Sequence, residues 1–283
     1  MGNKHTRGIF GGDSIDPKDI FDLLGGKFGE GIFGRKPPVA EKDPKGAALL
    51  KTFRKEIVGN DRQYLERIVV EYKEEVHSRV DNVNLLEAHA MAALYVDNTL
   101  VAYESFSLIR SPNIVQNQIL GLIAYNLGNY EEAISYFKAV DSKLSSSARI
   151  AYSLAMANTG NKDAKLHKTV LGPMLEKSGL ANSIIGCLLF SSGEILKAEE
   201  FFTTAVKLEP GSEKLRLDLM RVMALNGKTG DVYAGMNAFY IDTGSKFGAD
   251  EIQKEVETRE ICLPRPAIKN LFSVASSLFA YKC

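Results

Sequence analysis

The stretch that decides the fold is Ile185-Gly186-Cys187-Leu188-Leu189-Phe190-Ser191-Ser192-Gly193, followed after four residues by Ala198-Glu199-Glu200-Phe201-Phe202-Thr203-Thr204-Ala205-Val206-Lys207-Leu208-Glu209-Pro210. Two apolar helical patterns flank Gly193, and Pro210 cannot continue the second. A related stretch lies 65 residues upstream, where Leu127-Gly128-Asn129-Tyr130-Glu131-Glu132-Ala133 again breaks one helical pattern and starts another. Working outward, the chain is helical in period from Gly46 onward. Ala48, Leu49, Phe53 and Ile57 mark one stripe, and Tyr64, Ile68, Val69 and Tyr72 the next, with Gly59-Asn60 between them. Spacings of three and four place each set on one helix face. No stretch sustains the alternation of a strand, and prolines are sparse between Lys45 and Leu263.

These segments resemble the tetratricopeptide repeat. In a 34-residue frame beginning at Gly179, Gly186 takes the small position of the first helix and Ala198 faces it closely. Phe202 and Ala205 pack between the helices. The physical demand is simple: two antiparallel helices approach only where small residues meet, and Phe202 fills the space beneath. A second copy begins near Ile114, with Leu120, Gly121, Gly128, Tyr130, Ala133 and Phe137 in frame. A copy from about Glu213 keeps Leu219 and Gly227, then Ala234 and Phe239 after a small insertion. A copy from about Asn82 keeps Leu86, Ala102 and Phe106 with a longer turn. Residues 148–178 fit loosely, through Tyr152, Ala155 and Gly160, and Gly172-Pro173 interrupts their second helix. The resemblance covers roughly residues 82–240. It implies an all-α fold, a right-handed solenoid of helical hairpins.

In that family the first helices line a groove that holds peptides or partner helices. Carried over by frame, the groove positions are Gln118, Leu122, Tyr125 and Asn126, then Ser183, Cys187, Phe190 and Ser191, then Leu217, Arg221 and Leu225. Only Arg221 and Asn126 match the cationic and amide groups that grip a C-terminal carboxylate, and they belong to non-adjacent repeats. The predicted groove is apolar and aromatic instead.

Residues 1–46 read as an irregular N-terminal arm. Gly8-Ile9-Phe10-Gly11 recurs as Gly31-Ile32-Phe33-Gly34, and Asp16 to Gly25 reads as one short capped helix containing Phe21 and Leu24. Too little apolar area is present for the arm to fold alone, so Ile9, Phe10, Phe21, Leu24, Ile32 and Phe33 are expected to dock on a partner or on the chain's own body. Residues 47–81 read as an N-terminal hairpin. Residues 241–283 read as C-terminal helices capping the solenoid, with Ile268, Leu271, Phe272, Ala275, Leu278 and Phe279 forming an apolar face after Leu263-Pro264-Arg265-Pro266.

Composition narrows the function classes. Lys plus Arg equals Asp plus Glu at 35 each, which disfavours nucleic acid as a partner. Cys187, Cys262 and Cys283 form no paired motif, and His5, His77, His89 and His167 have no metal-ligand spacing. No cofactor, metal or nucleophile motif is recognised. No run approaches the length of a membrane span and no apolar leader is seen. Met1-Gly2-Asn3-Lys4-His5-Thr6 matches a myristoylation pattern. The expectation is a cytoplasmic, non-catalytic protein-binding adaptor in a multi-subunit assembly, with a chaperone for apolar segments as the alternative.

Overall fold

The computed structural model describes residues 43–59, 61–140, 143–244 and 246–258. The expectations for the arm residues Ile9, Phe10, Phe21, Leu24, Ile32 and Phe33, for Gly2, and for the apolar face from Ile268 to Phe279 lie outside the described residues.

Fourteen α-helices and no strand occur among the described residues. Helices α1 (Pro44–Gly59), α2 (Arg62–Glu71) and the short α3 (Lys73–His77) come first. Five hairpins follow: α4 (Val83–Tyr95) with α5 (Thr99–Ser107), α6 (Ile114–Asn126) with α7 (Tyr130–Val140), α8 (Ser146–Asn158) with α9 (Ala164–Leu171), α10 (Gly179–Ser191) with α11 (Ile195–Leu208), and α12 (Glu213–Leu225) with α13 (Thr229–Thr243). Helix α14 spans Lys246–Thr258. No helix among the described residues is long and apolar enough to cross a membrane.

Polar residues at the starts satisfy the backbone donors that each new helix leaves orphaned. Asn82 caps α4 through the Leu85 N–H, Asn98 caps α5 through Val101, Ser178 caps α10 through Ala181 and Ser212 caps α12 through Leu215. Asn113 and Gln116 close a reciprocal capping box at α6.

The hairpin turns are copies of one another. The first helix always has 13 residues. A left-handed residue follows at a constant offset: Asp97 from 83, Gly128 from 114, Gly160 from 146, Gly193 from 179 and Gly227 from 213. In each turn this residue donates to the carbonyl three back, and the next residue to the carbonyl five back, as in Gly193 to Phe190 (2.9 Å) and Glu194 to Leu189 (2.9 Å). This constancy corrects two sequence readings. The hairpin expected from Asn82 starts at Val83 and needs no longer turn, because Asp97 takes the glycine's place. The hairpin at Glu213 has no insertion, because α13 starts at Thr229 and buries Val232, Met236 and Phe239 rather than Ala234.

Inside the hairpins, a small residue on one helix admits a large one from the other. A Cβ on Gly121 would lie 2.5 Å from the Phe137 ring, and one on Gly186 would lie 2.8 Å from Phe202. The α12–α13 hairpin swaps the sizes, so that Met220 on the first helix lies against Gly235 on the second.

The described residues divide into two compact units, with the division along the chain between Ala151 and Tyr152. In the first, α1 and α2 pack on α4. Phe53, Ile57, Leu65, Ile68, Val69, Leu86, Ala102, Phe106, Leu120 and Ile123 form one buried cluster. His89 is buried within this unit, with its ring edge-on to Phe53 at 5.1 Å. Its Nε2–H donates to the Val69 carbonyl (2.8 Å), so its Nδ1 accepts from the Ser105 hydroxyl (2.8 Å). The His77 Nε2–H donates to the same Ser105 oxygen (2.8 Å). In the second unit, α14 lies against α12 and α13, where Ile252 and Val256 join Met220, Val232, Met236 and Phe239. His167 repeats the arrangement of His89: it accepts from Ser153 (2.7 Å) and donates to the Asn161 carbonyl (3.1 Å).

Candidate partner-binding surface

The fifth, ninth, twelfth and thirteenth residues of each first helix share one face by helical period. In the first unit this face is mostly consumed by the chain. Leu122 is 3 % and Tyr125 8 % exposed, and the Tyr125 ring tilts against Tyr130 at 5.4 Å. The sequence expectation that Leu122 and Tyr125 line an open groove is thereby corrected, since both contribute to the interior. Gln118 is half-buried and acts as a strut, because its Oε1 accepts the Ser145 N–H (2.7 Å) ahead of α8. Asn126 is half-buried, and neither its amide nitrogen nor its amide oxygen meets solvent or a hydrogen-bond partner.

The matching position on α4 holds Glu87, which the sequence reading passed over. It is 2 % exposed and lies near Arg54 of α1. Burial pushes its carboxyl up to about 7, against the opposing pull of Gln116 and Arg54. A glutamate at a groove position reads as a solvated charge from sequence. Only the cover provided by α1 reveals otherwise.

In the second unit the face is more open. Phe190 and Cys187 are half-buried, Ser191 is exposed, and Leu225 at the end of α12 is exposed. Leu217 is partly covered by the core of α12, α13 and α14. Ser183 departs from expectation: it is buried, and its hydroxyl donates to the Leu180 carbonyl (2.8 Å). Arg221 departs as well. Its guanidinium bonds Asp218 (3.3 Å), Glu255 (2.9 Å) and Glu251 (2.5 Å), tying α12 to α14. Lys214 completes the network on Asp218 (2.5 Å). An arginine held by three carboxylates is spent on its own chain and does not present its charge to a ligand.

Chemically, this surface favours contact over reaction. Burial pushes the Cys187 thiol up to about 12, so it stays protonated and poorly nucleophilic near neutrality. Burial also holds His77, His89 and His167 below the usual histidine range. Glu199, which reads as an exposed charge from sequence, instead accepts from Lys228 (2.6 Å) and Asn226 (2.5 Å).

Among known proteins, residues 117–142 match the tetratricopeptide repeat family. No curated protein sequence matches the chain. The matched segment runs from α6 through α7, and the turn at its centre is the one that the other four hairpins reproduce bond for bond. Residues 117–142 are thus similar to a tetratricopeptide repeat, and the turn at their centre is built five times over among the described residues, as an all-α series of helical hairpins.

Proposed function

We propose that the protein is a non-catalytic adaptor of a larger cytoplasmic assembly, binding an apolar peptide or helix of another protein. The observation that carries this reading is the open first-helix face of the second unit. Phe190, Cys187, Ser191 and Leu225 are accessible there, and the nearby charges are already paired with one another. Such a face suits a segment that brings apolar side chains and few charges. Leu217, half-buried on the same face, is a secondary contact candidate. The Ile/Phe-bearing arm of residues 1–46 supplies a second docking element, and Gly2 acylation would add a membrane tether.

The test is affinity capture followed by mass spectrometry, comparing the native chain with Phe190→Ser/Leu225→Ser and with a chain lacking residues 1–40. Helicity by circular dichroism controls for folding. An adaptor yields stoichiometric partners that the double variant loses and that the shortened chain holds less well. A folded double variant that retains every partner would sink the groove assignment. Partners that bind in substoichiometric amounts and release during washing would favour the chaperone reading instead.

A further inference from the structure

The second helix of a repeat normally turns a solvated, charged face outward. Helix α11 does so with Lys197, Glu200, Thr204 and Lys207, and α7 with Glu131, Ser135 and Lys138. Helix α13 does not. It carries no Lys, Arg or Glu, and its only charges are Asp231 and Asp242 near its ends. Between them Tyr233 is 42 %, Tyr240 51 % and Ile241 79 % exposed, and Gly230, Ala234, Asn237 and Ala238 are exposed too. Helix α14 does not cover this face. Its Ile252 and Val256 pack on the opposite, buried side with Val232, Met236 and Phe239, while Gln253, Lys254 and Glu257 face solvent.

We propose that the outer face of α13 is a self-association surface, on which a second copy of this chain docks antiparallel about a twofold axis at Asn237. An isologous contact requires protrusions and hollows on one and the same face. At 100° per residue, Gly230, Ala234, Asn237 and Ile241 form one ridge, flanked on one side by Tyr233 and Tyr240. A twofold axis at Asn237 sets Ile241 over the second copy's Ala234, and Tyr233 beside its Tyr240. The two Asn237 amides then meet on the axis, where each donates one N–H and accepts another. The small residues let the helix axes approach, and the stretch between the two aspartates places no charge in the contact. Two such helices bury roughly 1,000 Å², the low end for a specific interface, so the dimer is weak and concentration-dependent. This inference does not depend on the adaptor reading.

Sedimentation equilibrium of the full chain from about 1 to about 100 µM tests it. The expected result is a monomer–dimer equilibrium in that range, weakened roughly tenfold or more by Ile241→Asp and by Ala234→Arg. Both positions are exposed, so helicity should be unchanged. The chain has no tryptophan. Tyr240→Trp is therefore a sole reporter whose emission should shift to the blue as concentration rises. Three results would overturn the proposal: a monomer throughout, a dimer indifferent to both substitutions, or a blue emission that persists on dilution. The last would mean that the chain's own residues, such as the segment from Ile268 to Phe279, cover the face.

Discussion

Asp97 holds the left-handed backbone that Gly128, Gly160, Gly193 and Gly227 hold in the other four turns, with φ of 61°. A Cβ in that conformation costs energy that glycine avoids, though aspartate tolerates it better than most residues. The one compensating contact, an ion pair to Arg62 at 2.6 Å, joins two solvent-exposed side chains and contributes little. Asp97→Gly should therefore raise stability by about 0.5–1 kcal/mol in urea unfolding. A loss of stability would show that the Arg62 contact outweighs the backbone strain. The same residue explains where the sequence was hard to read. The four glycines announce their turns, whereas an aspartate in the fifth slot hides it and shifts the apparent frame from Val83 to Asn82. Met220 facing Gly235 disguises the last hairpin in the same way, because the small residue sits on the unexpected helix. Leu122 and Phe190 occupy equivalent faces, yet one is buried and the other half-open. That difference is set by what packs above them, which local sequence does not encode.

Between elements, the junction of α12 with α14 rests on a small apolar contact and a nearly buried ion network. Asp218 and Glu255 keep side-chain exposures of only 3 % and 8 %, and Arg221 bonds both. Replacing Arg221 by Met preserves bulk but takes the guanidinium away from Glu255 and leaves Asp218 with Lys214 as its cation. Removing one partner of a buried pair costs about 3–5 kcal/mol, most of it from the stranded charge. The loss should be local. In hydrogen exchange, the amides from Glu251 to Thr258 should exchange much faster in Arg221→Met, while those of α4 to α6 keep their protection. Unchanged exchange across α14 would mean that Ile252 and Val256 suffice to hold it. Sequence did signal α14 as a helix, yet gave Arg221 to the groove. The frame places Arg221 on the correct face, but two of the three carboxylates that neutralise it lie 30 and 34 residues away on another element.

For the molecule as a whole, equal numbers of acidic and basic residues do not set the dependence on pH, because stability follows shifted groups rather than net charge. His89 is held down to about 4, chiefly by burial, against about 6.5 when unfolded. Between those values the unfolded chain binds the extra proton. The contribution of His89 is thus complete above pH 6.5 and is lost as pH falls towards 4, a change of about 3 kcal/mol. His77 and His167 are shifted in the same direction. Glu87 works the other way. Its carboxyl is pushed up to about 7, so from pH 4.5 to 7 the folded chain holds the extra proton and stability falls as pH rises. The two effects oppose each other across the mildly acidic range, which flattens the profile of the native chain. Glu87→Gln removes only the opposing limb. Urea unfolding of this variant should match the native chain near pH 4, exceed it by about 2–3 kcal/mol at pH 8, and climb more steeply between. If the variant gains nothing at pH 8, Glu87 is ionised at no cost there, and the Arg54 guanidinium of α1 compensates its charge in full.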